Sequence, residues 1–194
     1  VPNTVAPFGL RPIRRQDGAA SSGNFTSCKG QPTAGALNRG DLVQQLADGT
    51  VAVGAAGVGY NIRGVYVGCH YALAALGYNI WSNYWPGSGA VAGTLVDIFV
   101  VDDPFQVFEV QASAGPITLA GIGMNADIVV TASTTGFSKW ALAAPAVTAT
   151  LPFRVERLGN GGVYTGDGYD ATSANNIVEV TWNNMFMRQS GTGI

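Results

Sequence analysis

Charge is what this sequence has least of. Only 11% of its 194 residues are Asp, Glu, Lys or Arg, against ~25% in ordinary soluble proteins. Hydrophobic residues reach 47% and the mean hydropathy is +0.20. Lysine occurs twice, at Lys29 and Lys139, beside eight arginines; histidine occurs once, at His70; cysteine occurs twice, at Cys28 and Cys69. Each scarcity excludes something. One histidine rules out His-based triads and multi-His zinc sites. Two cysteines without CxxC spacing lead us to expect no disulfide, only small packed hydrophobes. No window approaches the ~18 uninterrupted apolar residues of a spanning helix, so no membrane role is expected. A net charge of −2 and a pI near 5.2 give no long-range attraction for phosphates, so nucleic acid is not an expected partner. The opening VPNTVAPFGLRPIRR lacks the basic-then-apolar order of an export signal, and none is expected in it.

Low charge with abundant apolar residues implies an exterior covered by other protein, because interface cores lose Lys, Glu and Asp while keeping Arg and aromatics. The excess of Arg over Lys agrees, since a guanidinium pairs bidentately where a strongly hydrated ammonium costs more to bury. A homo-oligomer or a component of a larger assembly is expected.

What is present is strand signal. Residues 1–23 carry Pro2, Pro7 and Pro12 with Gly9 and Gly18, which denies them a helix and predicts an extended N-terminal arm. Its apolar residues Val5, Phe8, Leu10 and Ile13 are expected to dock on a neighbouring surface, and removal of residues 1–15 is expected to leave the remainder folded. Residues 24–194 predict one all-β domain, sandwich- or barrel-like, with long Gly-rich loops. In GDLVQQLADGTVAVG the pair Asp48-Gly49 signals a hairpin. IRGVYVGCHYA places Val65, Val67, Cys69 and Tyr71 on one face by alternation. TLVDIFVV reads as a strand covered on both sides. NIVEVTWNNMF sets Val178, Val180, Trp182 and Phe186 against Glu179, Thr181 and Asn183, and TLPFRVERL sets Leu151, Phe153 and Val155 against Arg154 and Glu156. Only ITLAGIGMNA offers a turn or two of helix, and residues 159–176 predict a long polar loop.

Candidate chemistry is thin. Asp102-Asp103-Pro104 falls between two strands, where Asp bonds nearby backbone and Pro presets φ, so a connecting turn is expected, with Glu109 on the following strand beside Phe105, Val107 and Gln111. Asp167 and Asp170 could offer two oxygens to Ca²⁺, but the ligand ladder of an EF-hand is missing. His70 and Cys69 are neighbours on a strand and point to opposite faces, which ill suits a nucleophilic pair. No phosphate loop or nucleophile elbow is present, and VGAAGVGYN lacks the context of a dinucleotide loop. No enzyme and no cofactor are therefore expected. Tyr78, Trp81, Tyr84 and Trp85 could form a sugar-stacking platform, an interface anchor or part of the core.

Six segments occur in a telling order: APFGLRPIR, a GD that opens a strand, RGVYVGCHY, VVDDPFQVFEVQ, IGMNADIV and RVERL. They span most of the chain, and in them it resembles a widespread family of phage virion structural proteins encoded near the major capsid protein. The resemblance implies a capsid cement, or head decoration, protein: a β-rich subunit, a homotrimer, on the outer capsid surface of the virion, bound to the major capsid protein and clamping its neighbours. It implies that Asp102, Asp103 and Glu109 are structural. Within that reading Phe8, Arg11, Arg14 and Arg15 are the expected contacts of the arm, with Phe8 as anchor and the arginines pairing carboxylates on the capsid or on a sister subunit. The competing expectation is a carbohydrate-binding β-module, as on a phage tail, that uses Trp81, Tyr84 and Trp85.

Overall fold

Two β-sheets that share one core make up the computed structural model, which describes residues 3–21, 23–33, 35–57, 61–159 and 171–188. Strands are numbered along the chain. The first sheet is antiparallel and runs in the order β1 (Arg11–Arg15), β10 (Gln106–Gln111), β15 (Ile177–Trp182), β14 (Phe153–Leu158) and β11 (Asn125–Ala126). The second runs β4 (Leu42–Gln45), β5 (Val51–Val53), β2 (Thr26–Gly30), β9 (Val96–Val101), β6 (Ile62–Leu73) and β7 (Tyr78–Ser82). Because β4 also pairs with β6, five of these strands close into a small barrel, with β7 appended. Two short ribbons complete the fold, β3 (Leu37–Asn38) with β8 (Tyr84–Trp85) and β12 (Ile128–Val129) with β13 (Ala141–Leu142). The chain is thus all-β, as its alternation predicts. Among the described residues no helix is long and apolar enough to cross a membrane.

Side-chain alternation divides the apolar residues between two clusters. Val43, Val51, Tyr66, Ile98 and Val100 fill the barrel, while Leu42, Ile62, Val65 and Val101 face out of it and meet Phe108, Val110, Val155, Val178 and Val180 of the five-stranded sheet. The predicted hairpin is present: β4 and β5 flank a turn in which Gly49 has φ +83° and Asp48 accepts from the backbone and hydroxyl of Thr50. The only helical feature near ITLAGIGMNA is a 3-10 turn at Leu119–Gly121.

The doubled acid joins the two sheets. β9 belongs to the barrel and β10 to the five-stranded sheet, and residues 102–105 connect them. Asp103 caps the turn by accepting from the Phe105 amide and pairs with Arg15 of β1 at 2.9 Å. Asp102 pairs with Arg63 of β6 at 3.1 Å and accepts from the Thr26 hydroxyl at the start of β2. These carboxylates are ties between strands.

Four expectations need correction. Residues 3–15 are extended but are no separate arm: residues 11–15 form the edge strand beside β10, Leu10 is 2% exposed in the main core, and Gly9 and Leu10 donate to Trp140 and Gly40. Gly9 makes this docking possible, since it has φ +72° and a Cβ there would lie 2.4 Å from Ser138 Cβ. The single face predicted for Val65, Val67, Cys69 and Tyr71 is broken by a bulge: Tyr66 pairs with Val100 and Gly68 with Phe99, which leaves Val67 over. Val65 consequently faces the five-stranded sheet, whereas Tyr66, Cys69 and Tyr71 face the barrel interior. β9 is covered on both sides only at its end: Val96, Ile98 and Val100 face inward and Val101 meets the five-stranded sheet, but Asp97 and Phe99 are half-exposed. Finally, β15 ends at Trp182, and Phe186 lies in a 3-10 turn under the Arg63 guanidinium.

Candidate functional site

The arginines of the N-terminal strand are engaged within the chain. Register places Arg11, Glu109, Glu179 and Arg157 in one row across β1, β10, β15 and β14. Two glutamates opposite one another repel, and the row sets a guanidinium at each end. Arg11 pairs with Glu109, and Arg157 with Glu179 at 2.7 Å. Arg14 bridges Glu179 at 2.8 Å and Glu156 at 2.9 Å, and Arg15 meets Asp103 and Asp17. Arg14 and Arg15 therefore hold the edge strand to its own sheet, where outward contacts were expected. Arg11, 57% exposed at its side chain, lies 5.0 Å from the Phe8 ring centre.

The expected aromatic platform is not brought together. Trp85 is fully buried in the barrel core, edge-on to Tyr71, and Tyr84 is half-buried. Trp81 is the most exposed of them, at 71%, with Tyr78 at 56%, and the partners of Trp81 differ from those expected. Its ring stacks on Phe99, with centroids 5.2 Å apart and planes 8° from parallel, and Phe99 meets Phe25 edge-on at 5.1 Å. Phe25 is 56% exposed. Period-two reading of VDIFVV puts Asp97 and Phe99 on one face, and that signal was enough to find Phe99. Its partnership with Trp81 depends on strand order, which alternation does not carry.

Beside this stack, Trp81, His70, Asp97 and Lys29 lie in one row across β7, β6, β9 and β2. Lys29 pairs with Asp97, and His70 Nδ1 lies 3.5 Å from the same carboxylate. Desolvation raises the Asp97 pKa, but the hydrogen bonds and charges of Lys29 and His70 outweigh it and hold the carboxyl below its ordinary value. Cys69 faces the other way, into the barrel, and burial pushes its thiol up, away from the thiolate. A small cavity of about 280 Å³ opens between Phe25, Phe99, Trp81 and Val67.

A second cavity, of about 510 Å³, lies where the N-terminal strand passes the barrel, bounded by Phe8, Arg11, Arg39, Val67 and Phe137. Phe137 is 70% exposed. The bulged Val67 lines both cavities, so the two are adjacent. Nothing in the local pattern around Arg39 or Phe137 marks either residue; they meet through the parallel bridge that joins them. Among the described residues no group of three or more His, Cys, Asp or Glu side chains is placed to hold a metal ion. Asp167 and Asp170 lie outside the described residues.

The fold and this surface define a class no finer than an all-β domain with an apolar, aromatic outer face. No family model, no curated protein and no solved structure matches the chain.

Proposed function

We propose that the chain is a non-enzymatic phage capsid cement protein: a homo-oligomer, a trimer in the preferred form, that binds the outer surface of the major capsid protein lattice and stabilises the DNA-filled head. The ordered set of segments that resembles phage virion structural proteins supplies the class. The observation that carries the reading is the aromatic surface of Phe25, Trp81, Phe99 and Phe137, on a chain so poor in charge that its described carboxylates are mostly spent on internal pairs. Exposed aromatic clusters with few surrounding charges suit protein interfaces. A ligand that binds the assembled lattice better than its separate subunits stabilises the lattice by mass action. Several modest contacts from one oligomer add through high effective concentration. Particles with and without the protein should differ on heating: those lacking it release DNA at a lower temperature, and coincident release curves would refute cementing.

The carbohydrate-binding reading keeps one supporting observation, the exposed indole of Trp81 beside Asp97, Lys29 and His70. Stacking of a sugar on such a ring, with polar groups at its edge, is chemically sound. Glycan-array binding that vanishes in Trp81→Ala, by a protein with no affinity for capsids, would favour it. Trp85→Ala would not discriminate, because that ring is core.

A further inference from the structure

We infer that the groove between the N-terminal strand and the barrel is a docking site for an extended segment of the capsid subunit that carries a carboxylate among apolar side chains. The inference rests on the reading of the chain as a cement protein and names the surface through which it grips.

Charge complementarity selects the occupant. Two guanidinium groups, Arg11 and Arg39, stand on the groove, and no acid lines it, in a chain of net charge −2. Arg11, Arg14, Arg15, Arg63 and Arg157 all have carboxylate partners, whereas Arg39 is exposed and has none among the described residues, so Arg39 is the cation the groove offers. The exposed ring of Phe137 and the half-buried ring of Phe8 line the same groove. A cation beside an aromatic wall suits an acid flanked by apolar side chains.

Two features favour a rigid groove and an extended ligand. Arg39 is held by main-chain bonds in both directions, its amide donating to Gly136 and its carbonyl accepting from Ser138, so little backbone freedom remains to be lost on binding. Val67, on the groove wall, has no partner residue in β4, β7 or β9. The extra residue of such a bulge is left out of the ladder, and Val67 stands on the groove wall.

The described acids of this chain do not supply the carboxylate. Every described carboxylate of this chain already has a partner within it. Asp17, Asp97, Asp102, Asp103, Glu109, Glu156 and Glu179 meet cations. Asp41, Asp48 and Asp127 accept from Asn38, Thr50 and the Ile128 amide. A second copy therefore has no uncommitted described carboxylate to offer, while the shell subunit is the partner that the proposed function requires.

The test uses fluorescent, capped peptides in which a central Asp is flanked by alternating Val, Leu and Phe, with Asn-centred and Lys-centred versions as controls. The full chain should bind the Asp peptide more tightly than the Asn peptide and reject the Lys peptide. Arg39→Glu, and separately Phe137→Ala, should each weaken binding about tenfold, while Val147→Ala, at an exposed side chain outside the groove, leaves it unchanged. Both substituted side chains are exposed, and circular dichroism checks that the variants stay folded. Equal affinity for the Asp and Asn peptides, indifference to Arg39→Glu, or self-association abolished by Arg39→Glu would each overturn the proposal. Binding of the same variants to empty capsids separates the two failures. Arg39→Glu that decorates capsids as well as wild type removes the groove and keeps the cement function, whereas wild type that binds no capsid removes that function.

Discussion

At the scale of single residues, ionic and polar groups here act mainly as fasteners. Glu179, 3% exposed at its side chain, receives both Arg14 and Arg157. Removing one partner of a buried pair leaves a poorly compensated charge, so Arg14→Met should cost about 2 kcal/mol, less than a full burial penalty because Arg157 remains. Urea unfolding checks it. Asn176 is fully buried and bonds both the amide and the carbonyl of Ile117, so Asn176→Ala should cost about 2 kcal/mol on the same measurement. Asp41 behaves oppositely to most carboxylates. Burial pushes its pKa up against the hydrogen bonds from Ser138 and Asn38. The folded state then holds its proton at pH values where the unfolded chain has released it, and stability falls as pH rises through that window. Relative to Asp41→Asn, the wild type should lose stability as pH rises from the ordinary carboxylate range toward the raised value, measured by thermal melts across pH. A difference that stays flat would refute the assignment.

At the scale of elements, most of the strands were legible because alternation and turn chemistry are local. The DG hairpin, the turn at Asp102-Asp103-Pro104 and the inward faces of β14 and β15 follow from neighbours within a few residues. What was not legible came from distance or from register. Residues 11–15 read as an arm because Pro12 and Gly9 exclude a helix, yet they say nothing about the vacant edge of β10 that the segment fills. The bulge at Val67 inverts the second half of β6, and alternation has no mark for it. Gly64 is legible only afterwards: a Cβ there would lie 2.6 Å from the Val101 carbonyl oxygen, where β6 and β9 close on each other. Gly64→Ala should therefore destabilise by about 1–3 kcal/mol through overpacking, seen as a lower melting temperature. Deleting residues 1–15 removes the edge strand, Leu10 and Arg14 together. It should cost about 4 kcal/mol or more, so the truncated chain unfolds at far lower denaturant. An unchanged midpoint would restore the free arm.

At the scale of the whole molecule, the exterior is uneven. The five-stranded sheet carries a knit of arginines and glutamates, while the barrel side carries Phe25, Trp81, Phe99 and Phe137 with Arg39, which has no carboxylate partner among the described residues. Composition led to the expectation of a covered exterior rich in Arg and aromatics. Trp85 and Arg14, singled out for it, went to the interior and to the sheet, while Phe137 and Arg39 stayed outside. Which aromatics and arginines reach the surface is a property of strand order and of where the chain turns, and neither leaves a local trace. The claim that most needs testing is preference for an assembled lattice. Sedimentation of the protein with empty mature capsids, and separately with unassembled capsid subunits, measures it directly. The account predicts saturable binding to the capsids at a fixed ratio and little to the subunits; a monodisperse monomer that ignores both would contradict it.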